Sequence, residues 1–298
     1  MNNDYRSLLR KYELHPKKVT IYKNAKVFDT KEGTFVFKKR RQDLTNTYSY
    51  LHSRSFDYFP KLVNKDDEYD IYEYVNVVDE PLEQKALDVI NIMSILHSKT
   101  TFFKEVDFDD YKSIYEKIVE ELEDTFNYYN NLMEYVEGDI YMSPASYLLA
   151  RNISTLYSAL EKSRTILEKW YELIKDKKNM RVVNIHNNMD LSHYLKDRDK
   201  SYFVSWDKSK IDMPIIDLYV FYKRHYLDFD FIDLLDVYES RYPLLKEEKL
   251  LFYAKILIPW KIKFNDLEYN LCIKVRNLFD YLYKSDELTK YGKPETTK

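Results

Sequence analysis

The sequence predicts an α+β protein of two lobes, a small antiparallel β-rich N-lobe over residues 1–76 and a larger helical C-lobe over residues 77–298. Three observations predict it. Up to residue 76, short runs of β-branched and aromatic residues alternate with charged turns. After Pro81, apolar residues recur at spacings of three and four over long stretches. One strand–loop–strand passage, MRVVNIHNNMDLSHYL followed by SYFVSWDKSK, interrupts the helices. That order of elements fits two lobes with a cleft between them.

The first 19 residues read as a helical or irregular lead ending near Pro16. TIYKNAKVFDT and TFVFKK flank Lys31-Glu32-Gly33 as a hairpin. A helix over 42–54 follows, then strands at Lys61–Asn64 and Tyr69–Tyr74, so the N-lobe reads β-β-α-β-β. Residues 82–98 have helical spacing. Two long helices come next, with core stripes Tyr111, Tyr115, Ile118, Leu122, Phe126, Tyr129, Leu132 and Leu149, Ile153, Leu156, Leu160, Leu167, Trp170, Ile174. Gly138 is expected in the turn between them, and Ser143-Pro144 as N-cap and first-turn proline of the second. Joined by a short loop, they should pack as an antiparallel hairpin. From Ile215 to about Lys284 the chain is helical, and ELTKYGKPETTK reads as a frayed tail.

Composition narrows the function. A net charge of -3 over 298 residues gives no basic field, so nucleic acid is not expected as a partner. No apolar run reaches the roughly 18 residues that a membrane span needs, and the charged N-terminus lacks the apolar core of a secretory leader. Cys272 is the only cysteine, which excludes an intramolecular disulfide and fits a reducing, cytoplasmic setting. The abundance of tyrosine, 30 residues, fits codon drift in an AT-rich genome, with a tyrosine-rich adhesive or coat surface as the alternative. The three glycines, Gly33, Gly138 and Gly292, lie too far apart for a phosphate-cradling loop. His186, Asp190 and His193 share one loop, but without a cysteine or a supporting carboxylate pattern they are a weak metal signal.

Over residues 17–285 the order of elements resembles the protein-kinase-like phosphotransferases of small molecules. These are the aminoglycoside phosphotransferases, the choline kinases and, nearest, the bacterial spore-coat kinase-like proteins. KVFDTKEGTFVFKKR resembles their first hairpin, which makes Lys38 the match for the lysine that holds nucleotide phosphates. YDIYEYVN resembles the strand and hinge over the adenine, around Glu73–Val75, so Glu73 and Val75 are carried over as nucleotide-contacting positions. The helix ending in Leu96-His97 matches a Leu-His pair, where His97 is expected to be structural.

The chemical motifs depart from that family. Its His-Gly-Asp, any residue, His, two residues, Asn pattern stands here as His186-Asn187-Asn188-Met189-Asp190-Leu191-Ser192-His193. His186 keeps the loop-structuring histidine. Asn188 falls on the aspartate that accepts the substrate proton, and His193 on the metal-binding asparagine. The later Ile-Asp-Phe-Asp motif reads Val204-Ser205-Trp206-Asp207, which puts Ser205 on the metal-binding aspartate. IDMPIIDL keeps Pro214 and Asp217, and in relatives that aspartate buttresses the loop. Asp43 is the only acid near the helix position that should pair with Lys38, and it comes about a turn early.

An asparagine cannot take a proton at neutral pH, and magnesium prefers hard, anionic oxygen ligands. The resemblance with these losses implies a catalytically impaired, pseudokinase-type scaffold or interaction protein with no cofactor. It is expected in the cytoplasm or, following the spore-coat likeness, in the coat, with a protein partner or coat component and room for a small-molecule ligand. The alternative is an ATP-dependent phosphotransferase acting on a small hydroxyl-bearing molecule. It would use ATP and magnesium, with Asp190 and Asp207 binding metal from shifted positions and Lys38 keeping its nucleotide role.

Overall fold

A computed structural model describes residues 10–22, 25–65, 68–138 and 140–290. The expectations for the first nine residues and for 291–298 lie outside these. The described residues form two compact units. One contains the chain up to Lys85 together with Asp190–Ser209, and the other contains Ala86–Met189 and the chain from Lys210 onward. This grouping is discontinuous in sequence.

The first unit is built on an antiparallel sheet of β1 (Lys18–Ile21), β2 (Ala25–Asp29), β3 (Thr34–Lys39), β4 (Leu62–Lys65) and β5 (Tyr69–Glu73), in the order β1-β2-β3-β5-β4. The sequence reading joined β1 and β2 into one strand. That run is too long for one typical strand of five or six residues, and it folds back where Tyr22 donates its N–H to the Ala25 carbonyl at 2.8 Å. At the β2–β3 turn Gly33 has φ +139°, which only glycine adopts at little cost, and its carbonyl accepts from the Thr30 N–H at 3.0 Å. Strand alternation sends Phe28, Phe37, Tyr69 and Ile71 into a core on one face, closed over by Tyr12 and Leu14. The other face therefore carries Lys38 and, opposite it in register, Asp70.

Helix α1 (Thr45–Ser53) and the hairpin of β8 (Tyr194–Lys196) and β9 (Ser201–Phe203) complete this unit. Trp206 ties them together. It is fully buried, its ring meets Phe56, Phe59 and Phe203, and its indole N–H donates to the Phe203 carbonyl at 2.8 Å. Holding Trp206 there bends the backbone before it, so Ser205 takes a left-handed conformation, φ +68° and ψ +48°. Beyond β5 the chain runs beside β8, with the Val78 N–H on the Lys196 carbonyl at 2.9 Å and Lys196 on Glu80 at 2.9 Å.

The second unit is helical: α2 (Leu82–Thr100), α3 (Phe108–Gly138), α4 (Pro144–Ile174), α5 (Ile215–His225), α6 (Phe231–Arg241), α7 (Lys246–Ile256) and α8 (Glu268–Lys290). A small sheet of β10 (Lys210–Asp212), β7 (Asn179–Ile185) and β6 (Phe102–Glu105) runs through it in the order β10-β7-β6. The sequence reading found β7 and missed its neighbours, which are too short to show a period of their own and are set by pairing with β7. Helices α3 and α4 are antiparallel. Tyr111 meets Trp170 at 6.4 Å, and farther along α3 Phe126 meets Tyr157, farther back along α4, at 5.3 Å.

Ser143 caps α4 by accepting from the Ser146 N–H at 3.3 Å, with Pro144 in the first turn. Three expectations are corrected. Phe126 is 46% exposed, because the helical phase turns Thr125 and not Phe126 toward the core. Gly138 is the last residue of α3 and not part of the turn after it. Helix α8 continues through Lys290, burying Leu288, so the stretch read as a frayed tail is helical for its first four residues.

One ion pair fixes α7 to β7. Arg181 donates to Glu248 from Nε at 2.9 Å and from Nη2, with only 11% and 5% of the two side chains exposed, and Glu248 also accepts from the Leu245 N–H at 2.8 Å. Removing one partner of a buried pair strands the other charge. Arg181→Ala should therefore cost about 3–5 kcal/mol in denaturant unfolding, and Arg181→Met with Glu248→Leu far less. At Ser205 the left-handed backbone costs an L-residue roughly 1–2 kcal/mol, of which glycine's greater unfolded-state freedom takes back about half. Ser205→Gly should thus be neutral or stabilising by up to about 1 kcal/mol, while the β-branched Ser205→Val should destabilise, both read from unfolding midpoints.

Candidate functional site

The residues singled out by sequence fall into two clusters, one in each unit. In the first unit Lys38, projecting from β3, is held by Asp207. Its ammonium lies 2.9 Å and 3.1 Å from the two carboxylate oxygens, with about a fifth of each side chain exposed. The burial of Trp206 aims Asp207 at the sheet, and strand alternation aims Lys38 back at it. Around this pair the polar groups are also matched. Arg40 binds the buried Asp70 at 2.6 Å and 2.9 Å, and the Tyr48 and Tyr72 hydroxyls lie 3.4 Å apart. Burial pushes the Tyr72 hydroxyl up to about 12, with Asp70 and Asp207 adding, and pushes Tyr48 well above its ordinary range. Both phenols therefore stay protonated at neutral pH.

Asp43 does not reach Lys38. Its Oδ1 accepts from the Thr45 N–H at 3.0 Å and the Thr45 hydroxyl at 2.5 Å, at the start of α1. Glu73 ends β5, exposed, with its N–H on the Lys61 carbonyl at 3.0 Å, and Val75 is buried just beyond. Asp190 accepts from the Ser192 N–H at 2.8 Å and its hydroxyl at 2.6 Å, starting the single helical turn Leu191–His193. The His193 carbonyl accepts from the Val204 N–H at 2.9 Å, so the residue before Ser205 is bonded to His193.

In the second unit the chain leaves β7 into His186, Asn187 and Asn188. His186 is fully buried. Asp217, on the first turn of α5, is fully buried too. Its Oδ2 accepts from the His186 N–H at 2.8 Å and its Oδ1 from the Asn187 N–H at 2.6 Å. His97 lies between the same carboxylate, 3.2 Å from Nε2, and the Tyr238 hydroxyl, 2.6 Å from Nδ1. Asn187 takes φ +55°, and asparagine is among the residues that tolerate this conformation best.

Asn188 is held by Arg224. The guanidinium donates to Asn188 Oδ1 at 3.1 Å, to the Asn188 carbonyl at 3.3 Å and to the Met189 carbonyl at 2.8 Å.

Two contacts were missed from sequence, and they differ in how far sequence could have shown them. Asp207 was considered only as a metal ligand. Nothing in its spacing from Lys38, 169 positions away, signals an ion pair. Arg224 did leave a signal. It follows Asp217 by seven residues on α5, two helical turns, so both project from one face toward the same loop. Among the described residues no group of three or more His, Cys, Asp or Glu side chains is gathered as a metal site, and no helix is long and apolar enough to cross a membrane.

No protein-family model matches the chain, and no curated protein matches it in sequence. Solved structures do. An aminoglycoside phosphotransferase from Alicyclobacillus acidocaldarius is similar with a TM-score of 0.68 at 10% identity, covering 96% of each chain. The AMP-bound spectinomycin phosphotransferase APH(9)-Ia has a TM-score of 0.56 at 12% identity, covering 97% of this chain and 99% of that one. A choline kinase from Streptococcus pneumoniae follows with a TM-score of 0.46 at 13% identity, covering 96% and 97%. At such identities the likeness concerns the fold alone: an antiparallel β-sheet region and a helical region, matching the fold of an aminoglycoside phosphotransferase.

Proposed function

We propose that this chain is a pseudokinase, a catalytically impaired kinase-like protein that acts as a scaffold or interaction protein. The observation that carries this is the internal commitment of the atoms that chemistry would need. The Lys38 ammonium is bound to both oxygens of Asp207, and the Asn188 amide oxygen is bound to Arg224. The donor types agree. A serine hydroxyl at 205 and an imidazole at 193 do not suit magnesium, which takes hard, usually anionic oxygens in octahedral array. Loss of the general base costs typically two to four orders of magnitude in rate. The partner that fits this reading is a protein, in the form of a coat component if the spore-coat likeness extends to role, in the cytoplasm or the coat.

A second reading is favoured by the names of the similar structures, which are phosphotransferases, and one of them holds AMP. In that reading the chain phosphorylates a small hydroxyl-bearing molecule. Nucleotide phosphate displaces Asp207 from Lys38, and Asp207 with Asp190 serves the metal.

Differential scanning fluorimetry with ATP or ADP, with and without magnesium, separates the two. The scaffold reading expects a flat unfolding midpoint under all four conditions. A magnesium-dependent rise with ATP that disappears in Asp207→Ala would establish the second reading. Incubation with ATP should likewise give no phosphate release above the no-protein background. A release rate that falls on Asn188→Ala would overturn the scaffold reading.

A further inference from the structure

The second unit contains a pocket that neither cluster uses. It has a volume of about 480 Å³, and its walls include Phe103 of β6, Tyr111 of α3, Trp170 and Ile174 of α4, Met180 of β7, and Met213. It opens at the starting end of β7, Asn179–Arg181, whereas His186 follows the other end. At ~3.3 Å per residue, that strand separates the two places by roughly 20 Å. A small-molecule site is typically this size, concave and mostly apolar, with a few fixed polar groups.

The charges of the wall are not balanced. Lys177 is paired with Glu247. Arg181 is held by both oxygens of Glu248, lies 4.4 Å over the Tyr242 ring and donates to the Pro243 carbonyl at 3.0 Å. Lys178 also lines the pocket, and among the described residues no carboxylate pairs with it. The Tyr111 hydroxyl donates to the Asn179 carbonyl at 3.0 Å, and burial, with Glu247 and Asp110 adding, pushes it up to about 12, so it stays neutral. The cavity thus offers the exposed Phe103 ring, the edges of the buried Tyr111 and Trp170 rings, held in place before any ligand arrives, and one surplus positive charge at its edge.

We infer that this pocket binds a flat aromatic monocarboxylate, its ring against Phe103 and the edges of Tyr111 and Trp170 and its carboxylate on Lys178. Flat rings match the aromatic walls, since edge-to-face and offset contacts need planar partners. With Lys177 on Glu247 and Arg181 on Glu248, a second negative charge on the ligand would find no further unpaired cation in this wall.

Isothermal titration calorimetry of the full chain with 2-naphthoate and with its neutral analogue 2-naphthamide tests this. Binding of naphthoate below millimolar concentration is expected, with the amide about 2- to 5-fold weaker, as a partly exposed charge contact gives. Lys178→Gln should bring naphthoate down to the amide's affinity and leave the amide unchanged. Phe103→Ser should weaken both about tenfold or more. Lys178 is exposed and Phe103 is 63% exposed, so both variants keep their core, which an unchanged unfolding midpoint verifies. The absence of naphthoate binding at millimolar concentration, equal affinities for acid and amide, or no effect of Lys178→Gln would each overturn the inference.

Discussion

Asp217 is a carboxylate without solvent exposure, and its oxygens accept from the His186 and Asn187 N–H groups and approach His97 Nε2. A buried charge is tolerated only when its hydrogen-bonding capacity is met. The chain after β7 therefore cannot leave this arrangement without stranding the carboxylate. The left-handed Asn187, the direction of Asn188 and the reach of Arg224 from the same helix face all follow from that constraint. His97 extends it into α6 through the Tyr238 hydroxyl, so three helices and one strand end meet around one group.

The two clusters differ in kind. In the helical unit the backbone N–H groups of the loop are held by a buried carboxylate, and the Asn188 amide beside them is held by Arg224. In the sheet unit Lys38 takes its counter-charge from Asp207, two residues after Ser205. In both, these polar atoms are satisfied internally. Satisfied polar groups stabilise a frame, whereas open ones cost free energy.

The αL conformation of Ser205 comes directly before a packed aromatic residue. Trp206 is buried against Phe56, Phe59 and Phe203, and that packing fixes the direction in which the chain leaves Ser205.

Much of the fold was legible in the sequence, because long amphipathic helices and a β-hairpin written in alternating residues carry their own periodicity. The Ser143-Pro144 cap, the antiparallel pairing of α3 and α4 and the approach of Asp217 to the loop could all be anticipated. Strands β6 and β10, of four and three residues, could not be, since they exist only through pairing with β7. The side chains standing at 188, 193 and 205 are facts of the sequence alone. Whether Lys38 meets Asp207 and Asn188 meets Arg224 was decided only by tertiary structure, because contacts across 169 and 36 positions depend on strand register and helix phase, which local composition does not encode.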